Sequence, residues 1–389
     1  MERNGPLSQT IVITGARAPA ALHLARLFHA AGHRMVLADT FRRPLAAATR
    51  FKQAYVQLPA PRDGMPAFVA ALKELVARET PDLVIPACEE VFFLAAARDK
   101  YGVPLPLFAP HFDVLARVHN KADFAQLAIG FGADPPETVR LQSRGDVEAL
   151  TLPRSQLVLK PAWSRFGSRV LVQPSQYQLD QVRPSLADPW VAQAYLPGDE
   201  ICAYAVARDG RLLAFRAYRP TYRAGAGAGV AFEPVDNAAA RQFTEGLVTS
   251  LGWTGQISFD FRHDRQGRLR VIECNPRSTS GLHYFNAGDG LPEAILNGAG
   301  AVPSGSGPMT LPFAMLAYGL PYSLGHHGVG RWLTDFRSMQ DITSWPGERS
   351  MALAQISAFL EIAGRAVRKR TGLIDASVRD IQWDGEPLI

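Results

Sequence analysis

Two short apolar stretches, GQISFDF (255–261) and RLRVIECN (268–275), flank the turn-forming hexapeptide RHDRQG, a pattern that specifies a β-hairpin. With the turn centred between Gln266 and Gly267, paired residues carry numbers summing to 533, and Asp260 lies directly opposite Glu273. Directly opposed strand residues project to one face with Cβ atoms ~4.5–5.5 Å apart, and like charges there repel. Asn275 shares that face because strand side chains alternate with a period of two. Two carboxylates and an amide oxygen on one surface need a cation, a shared proton or open solvent. The flanking Ile257, Phe259, Phe261, Val271 and Ile272 argue against open solvent. A small set of oxygen ligands suits Mg²⁺, which keeps several waters and takes further oxygens from phosphates. The inference depends on register, since a three-residue loop shifts the sum to 532 and pairs Asp260 with Ile272. Taken by themselves, the two acids fit equally well a surface hairpin whose carboxylates pair with Arg262, Arg268 or Arg270.

Upstream, the first hundred residues alternate apolar strands (TIVITGA, RMVLAD, DLVIPA, VPLPLFAP) with amphipathic helices, the signature of a parallel sheet covered on both faces. The first turn, TGARAPAA, keeps only Gly15 of a dinucleotide-binding G-x-G-x-x-G, so it reads as a structural turn with Pro19 opening a helix, although Asp39 follows the second strand at a suggestive distance. Two helices and a Pro-rich turn follow residue 110, and strands are then expected at LVLKP and RVLVQ. The Asp209–Gly210 dipeptide between alternating segments marks a further hairpin. The reading is an α/β parallel-sheet domain (1–110), then an α+β domain of two subdomains (111–189 and 190–310), and a C-terminal extension (311–389).

Composition narrows the function classes. The chain has 389 residues, a net charge of +5 and no apolar run of bilayer length, so neither a membrane nor a nucleic acid is the expected partner, and a cytoplasmic protein without a signal peptide is expected. Cys88, Cys202 and Cys274 stand far apart with no metal-binding spacing. The basic cluster RAVRKR near residue 370 fits a helix C-terminus, where cations are favoured. Of 41 basic residues only six are Lys, at positions 52, 73, 100, 121, 160 and 369. Lys presents a compact charge to phosphate where Arg presents a planar fork, so each Lys in this chain merits inspection.

The ordered set Lys121, Lys160, QAYLPGDE, SFDF and ECNPR resembles the ATP-grasp superfamily of ligases, relatives of D-alanine ligases, biotin carboxylase and carbamoyl phosphate synthetase, over residues 10 to 310. The resemblance implies ATP between two α+β subdomains, with Asp260, Glu273 and Asn275 holding magnesium ions and Arg277 steadying an acyl phosphate. It implies that Lys121 and Lys160 approach the nucleotide phosphates. It also implies that Gln193 and the backbone near Leu196 read adenine and that Glu200 takes the ribose hydroxyls. For Lys160 the residues agree independently, because an ammonium ending an apolar strand needs an anion. Glu200 also faces Arg219 as an ion pair if the Asp209–Gly210 turn sets the register. Two departures stand out. Gln193 replaces the usual Glu, and AWSRFGS has one glycine, Gly167, where the family's phosphate loop has several, with Ser164, Arg165 and Ser168 as polar substitutes.

The resemblance implies a reaction in which a carboxylate becomes an acyl phosphate at the expense of ATP and an amine then forms an amide. The substrates expected are therefore a small carboxylate and a small amine, and a homodimer is compatible with the family. Ser278, Thr279 and Ser280 are read as pocket lining or as ordinary loop residues. Arg219 and Arg223 are read as a carboxylate clamp or a solvated edge. Glu89 and Glu90, at a strand end, are read as an amine contact or as helix N-terminal acids. The alternatives are a non-catalytic ATP sensor of this fold and a nucleotide-dependent oxidoreductase. Biotin carboxylation is disfavoured, since no carrier segment is recognisable.

Overall fold

The computed structural model describes residues 8–163, 169–224, 227–326 and 328–388. Among the described residues three sheets form. The first is parallel, with strands β1 (Thr10–Thr14), β2 (Arg34–Asp39), β3 (Ala54–Gln57) and β4 (Leu83–Pro86) in the order β3-β2-β1-β4. Helices α1 (Pro19–Ala30), α2 (Met65–Glu79) and α3 (Val91–Asp99) cover it. β1, β2 and β4 are buried almost throughout, which explains their largely apolar sequence, whereas the edge strand β3 is only partly buried. The segment VPLPLFAP adds a single bridge, Val84 to Leu107, rather than a strand. Pro104 and Pro106 lack the N–H groups a continuous ladder needs.

Helices α4 (Phe112–His119) and α5 (Lys121–Leu127) lead to a smaller antiparallel sheet of β5 (Thr138–Leu141), β6 (Leu157–Pro161), β7 (Leu171–Val172) and β8 (Trp190–Ala194), ordered β5-β8-β6-β7. β8 therefore pairs with the segment that precedes it in the chain, although the sequence reading placed residue 190 in the next subdomain. The third sheet contains β9 (Glu200–Arg208), β10 (Arg211–Ala224), β11 (Ala228–Val235), β12 (Gly255–His263), β13 (Leu269–Asn275), β14 (Met309–Thr310) and β15 (Gln340–Asp341) in the order β13-β12-β9-β10-β11-β14-β15. Phe243, Leu247 and Val248 on the helix Ala238–Ser250 are fully buried in a core cluster with Ile257, Phe259 and Phe261 of β12. No helix among the described residues is long and apolar enough to cross a membrane.

The residues after 310 are tied into the rest of the molecule. β14 and β15 extend the large sheet. The helix Ala352–Lys369 ends at Arg370, whose φ of 52° puts it in the left-handed region, so the basic cluster does lie at a helix C-terminus. The tail that follows packs on the first βα turn. There Arg17 bonds Asp39 and Asp380, each at 2.6 Å, and Arg365 reaches Asp380 at 3.0 Å. The Arg17 and Arg365 guanidiniums each lie 3.9 Å from the centroid of the Phe41 ring. Asp39, the residue that a dinucleotide ribose would require, is thus consumed by Arg17 and by the Phe41 N–H, which removes the main support for an oxidoreductase.

Candidate active site

The hairpin β12–β13 pairs Asp260 with Glu273, as the sequence implies, but by a different route. His263 pairs with Leu269, Arg262 with Arg270 and Phe261 with Val271, a register summing to 532 around a five-residue loop. In that loop Gly267 adopts a φ of 75° and its N–H bonds the Asp264 carbonyl. A bulge between Phe261 and Asp260 then takes up one residue, Ile272, and restores the sum of 533 at Asp260, Phe259 and Ser258. A bulge leaves its extra residue outside the ladder. Here the Ile272 carbonyl accepts from Lys160 Nζ at 3.2 Å. The irregularity that sets the acid pair in register also seats the β6 lysine. Arg268 and Arg270 bond Asp264 at the turn, at 2.9 and 3.2 Å, so neither serves as the counter-ion of the acid pair.

Two lysines do serve. Asn120 caps α5 through the N–H groups of Ala122 and Asp123, which fixes Lys121 in the first turn. An ammonium there opposes the helix dipole, but Lys121 Nζ lies 3.6 Å from Glu273 Oε2, and Lys160 Nζ lies 4.0 Å from the same oxygen. Both lysines are 4% exposed. Burial pulls the Lys160 ammonium down to about 8, with Glu273 opposing and Lys121 assisting the shift. Burial also disfavours the ionised forms of both acids. At Glu273 the attraction of Lys121 and Lys160 outweighs it and holds the carboxyl below its usual range. Asp260 has no comparable neighbour and is raised by burial, by Glu273 and by Glu200. The pair therefore splits into one acid that is already compensated and one that lacks a cation.

Asn275 joins them, donating from Nδ2 to Asp260 Oδ2 at 3.0 Å and accepting at Oδ1 from Arg277 at 3.2 Å. Arg277 also bonds Glu89 at 2.6 Å and the Ser278 carbonyl at 3.1 Å. Of the two acids after β4 it is thus Glu89 that reaches the site. Glu90 instead accepts from Thr14 and from the N–H groups of Ala87 and Cys88, beneath Gly15. Ser278 lines the cleft, although its hydroxyl is committed to the Ala87 carbonyl at 2.6 Å.

Glu200 and Arg219 do not meet. A bulge between Leu212 and Ala214 moves the β9–β10 register, and the carbonyl of the extra residue, Leu213, accepts from Ala301 N–H. Glu200 is bonded by Arg223 at 2.9 Å, whereas Arg219 turns to Glu233 at 3.5 Å and does not line the cleft. Gln193 donates to Thr138 Oγ1 at 3.0 Å, which orients its amide, and Leu196 lies nearby on the cleft wall. Ser164, Arg165, Gly167 and Ser168 lie outside the described residues.

These groups surround a cleft of about 560 Å³ between the small and large sheets, closed at one end by Ala18, Pro19, Ala87 and Cys88 of the first domain. One region is apolar, with Val158, Val172, Leu196 and Ile272, and it adjoins the lysines and acids. Among the described residues no group of three or more His, Cys, Asp and Glu side chains forms a metal site. The candidate ligands are two carboxylates and an amide. So sparse a set fits Mg²⁺ that draws its remaining oxygens from water and phosphate. Sequence reasoning missed Cys202, Tyr218, Leu311, Ala314 and Ile342, all on the cleft. The sequence reading names Glu89 together with Glu90, and of the two it is Glu89 that bonds Arg277.

No protein-family model and no curated protein sequence matches the chain. Solved structures match it at low identity. L-amino acid ligase from Bacillus licheniformis is similar with a TM-score of 0.59 and 16% identity over 75% of this chain and 74% of that one. N5-carboxyaminoimidazole synthetase from Staphylococcus aureus is similar with a TM-score of 0.61 and 15% identity over 84% and 89%. The biotin carboxylase domain of 2-oxoglutarate carboxylase from Hydrogenobacter thermophilus, solved with MgADP and bicarbonate, has a TM-score of 0.54 and 13% identity over 70% and 64%. The fold of this chain is the ATP-grasp fold.

Proposed function

We propose that this chain is a magnesium-dependent ligase that converts a carboxylate to an acyl phosphate with ATP and passes the acyl group to an amine. The observation that carries this reading is the Asp260–Glu273 pair in direct cross-strand register on the cleft face, with the Lys121 and Lys160 ammonium groups 3.6 and 4.0 Å from Glu273. Asp260, Glu273 and Asn275 would hold the metal, whose charge Asp260 lacks in the free protein. Bound Mg²⁺ would supply charge neutralisation at the nucleotide phosphates.

The chain's own residues account for the remaining work. Val158, Val172, Leu196 and Ile272 provide an apolar slot for a purine ring, Gln193 presents its amide oxygen beside it, and Glu200 faces the ribose. Lys160 and Lys121, which lie beside Glu273 in the free protein, would be the groups that reach the nucleotide phosphates. Arg277, anchored by Glu89, stabilises negative charge as it develops on the transferring phosphoryl group. Its guanidinium is held from two sides, so little reorganisation is needed at the moment of reaction. The division into residues 1–110, 111–189, 190–310 and 311–389 belongs to the same reading, amended at β8.

The test is ADP formation from MgATP across a panel of carboxylic acids, with and without amines. ADP release that requires an acid, and an amide product that requires both, is the expected result. Glu273→Gln should lower turnover at least ~100-fold; a variant that turns over at the wild-type rate removes the assignment. A protein that binds MgADP and never turns over would be a sensor instead.

A further inference from the structure

The cleft continues beyond the acid pair. Strands β13, β12, β9 and β10 bring Glu273, Asp260, Cys202 and Tyr218 into one cross-strand row, so these four side chains leave the sheet on the same face. With strands ~4.8 Å apart, Tyr218 stands roughly 10 Å from Asp260. Phe232 on β11 packs on Tyr218 with ring centroids 5.7 Å apart and stacks against His283 at 6.1 Å. Leu311, Ala314 and Ile342 from the segment after residue 310 complete this wall. Ile342 packs on the cluster that contains Tyr218 and Phe232.

The charge distribution along the cleft is one-sided. Its acidic lining residues, among those described, are Glu200, Asp260 and Glu273. Glu200 is committed to Arg223, and the other two form the metal pair. The wall from Tyr218 to Ile342 contributes no carboxylate. An ammonium resting there would be buried without a counter-charge, which is costly. Uncharged polar groups, Thr279 and Ser280, line the cleft nearby, and His283 Nδ1, in a residue 95% shielded, has no hydrogen-bond partner. Burial keeps that imidazole neutral, so it supplies no charge to the wall.

We infer that the acid activated at this site is a monocarboxylate with an uncharged, apolar tail that lies against Tyr218, Phe232, Leu311, Ala314 and Ile342, so that the segment after residue 310 sets specificity. This rests on the ligase reading above. The carboxylate sits between the acid pair and Arg277, and the ~10 Å to Tyr218 accommodates a tail of medium-chain or arylalkyl length. In the reaction, a carboxylate oxygen bonds to the γ-phosphorus while the bond from that phosphorus to the β–γ bridging oxygen breaks and ADP leaves. An amine nitrogen then displaces phosphate from the acyl carbon and loses a proton.

Hydroxylamine as the amine makes the test independent of the natural acceptor, because hydroxamate formation and ADP release are both read directly. Acetate, hexanoate, 3-phenylpropanoate, 6-aminohexanoate and glutarate are compared by kcat/KM. At about 0.8 kcal/mol per buried methylene, 3-phenylpropanoate and hexanoate should exceed acetate by roughly 100-fold, while 6-aminohexanoate and glutarate, with a charge at the tail, should not exceed acetate. Ile342→Asp should lower kcat/KM for 3-phenylpropanoate at least ~10-fold and narrow its advantage over 6-aminohexanoate, with MgADP affinity reporting that the variant is folded. Ala314→Trp, which fills the wall without a charge, should select hexanoate over 3-phenylpropanoate. Preference for 6-aminohexanoate or glutarate overturns the inference and leaves the ligase reading standing. Failure of every class of acid to stimulate ADP release overturns both.

Discussion

Replacing Lys160 by Met removes the cation that ends β6 while keeping a side chain of similar length. In the free protein that ammonium lies 3.2 Å from the Ile272 carbonyl and 4.0 Å from Glu273. Two unit charges 4 Å apart at an effective dielectric constant near 20 interact by about 4 kcal/mol. If Lys160 moves to a nucleotide phosphate at a similar distance, part of that energy is offset by the lost contact with Glu273. A net loss of about 2–4 kcal/mol remains, or roughly 30- to 1000-fold in affinity for MgADP. Isothermal titration calorimetry at fixed ionic strength measures it. Lys73→Met, on an exposed position of α2, serves as the charge control. The expected result is a weakened Lys160 variant with a normal enthalpy of unfolding and an unchanged Lys73 variant. MgADP binding by Lys160→Met within threefold of wild type would refute the assignment of Lys160 to the nucleotide.

Three further outcomes follow from the packing. His23 donates from Nε2 to the Phe285 carbonyl at 2.7 Å beside His283, Trp345 and Arg26, and burial holds its imidazole at about 4 against an ordinary 6.5. The unfolded chain therefore binds the proton first as pH falls, and stability declines between about 6.5 and 4 by up to about 3 kcal/mol; His23→Gln should flatten that part of a stability profile measured by urea unfolding. Gly15 has a φ of 67°, and a Cβ there would lie 2.7 Å from Glu90 Oε1, so Gly15→Ala should cost about 2–3 kcal/mol, seen as a lowered urea midpoint. Asp380→Ala leaves Arg17 and Arg365 without a shared carboxylate and should loosen the C-terminal tail by about 3 kcal/mol, raising the rate of limited proteolysis within residues 373–388 about 100-fold; an unchanged cleavage rate would contradict the tail's role as a strap.

Much of the molecule could be read before its structure. Apolar strands alternating with helices implied the parallel sheet, and the carboxylates of Asp260 and Glu273 fell opposite each other because strand periodicity leaves few choices. What resisted reading was the irregular backbone. The single-residue bulges at Ile272 and Leu213 change register without a compositional mark, since the extra residue is as apolar as its neighbours. One bulge rescued the acid pairing from the wrong loop length, and the other separated Glu200 from Arg219. The choice between Glu89 and Glu90 turned on a helix phase that two adjacent acids cannot encode. The wall of Leu311, Ala314 and Ile342 carried no signal at all, because apolar side chains gathered from distant segments look like core until the cleft is seen beside them. Pro104 and Pro106, by contrast, were a legible warning against a strand.

The most direct test of the central claim is the binding of Mn²⁺, as a paramagnetic substitute for Mg²⁺, followed by electron paramagnetic resonance in the presence of saturating ADP. If Asp260 and Glu273 hold a nucleotide-bound divalent ion, the wild-type protein sequesters Mn²⁺ in an ADP-dependent manner and Glu273→Gln loses that binding at least ~100-fold while still folding. Sequestration of Mn²⁺ by the variant with wild-type affinity would contradict it.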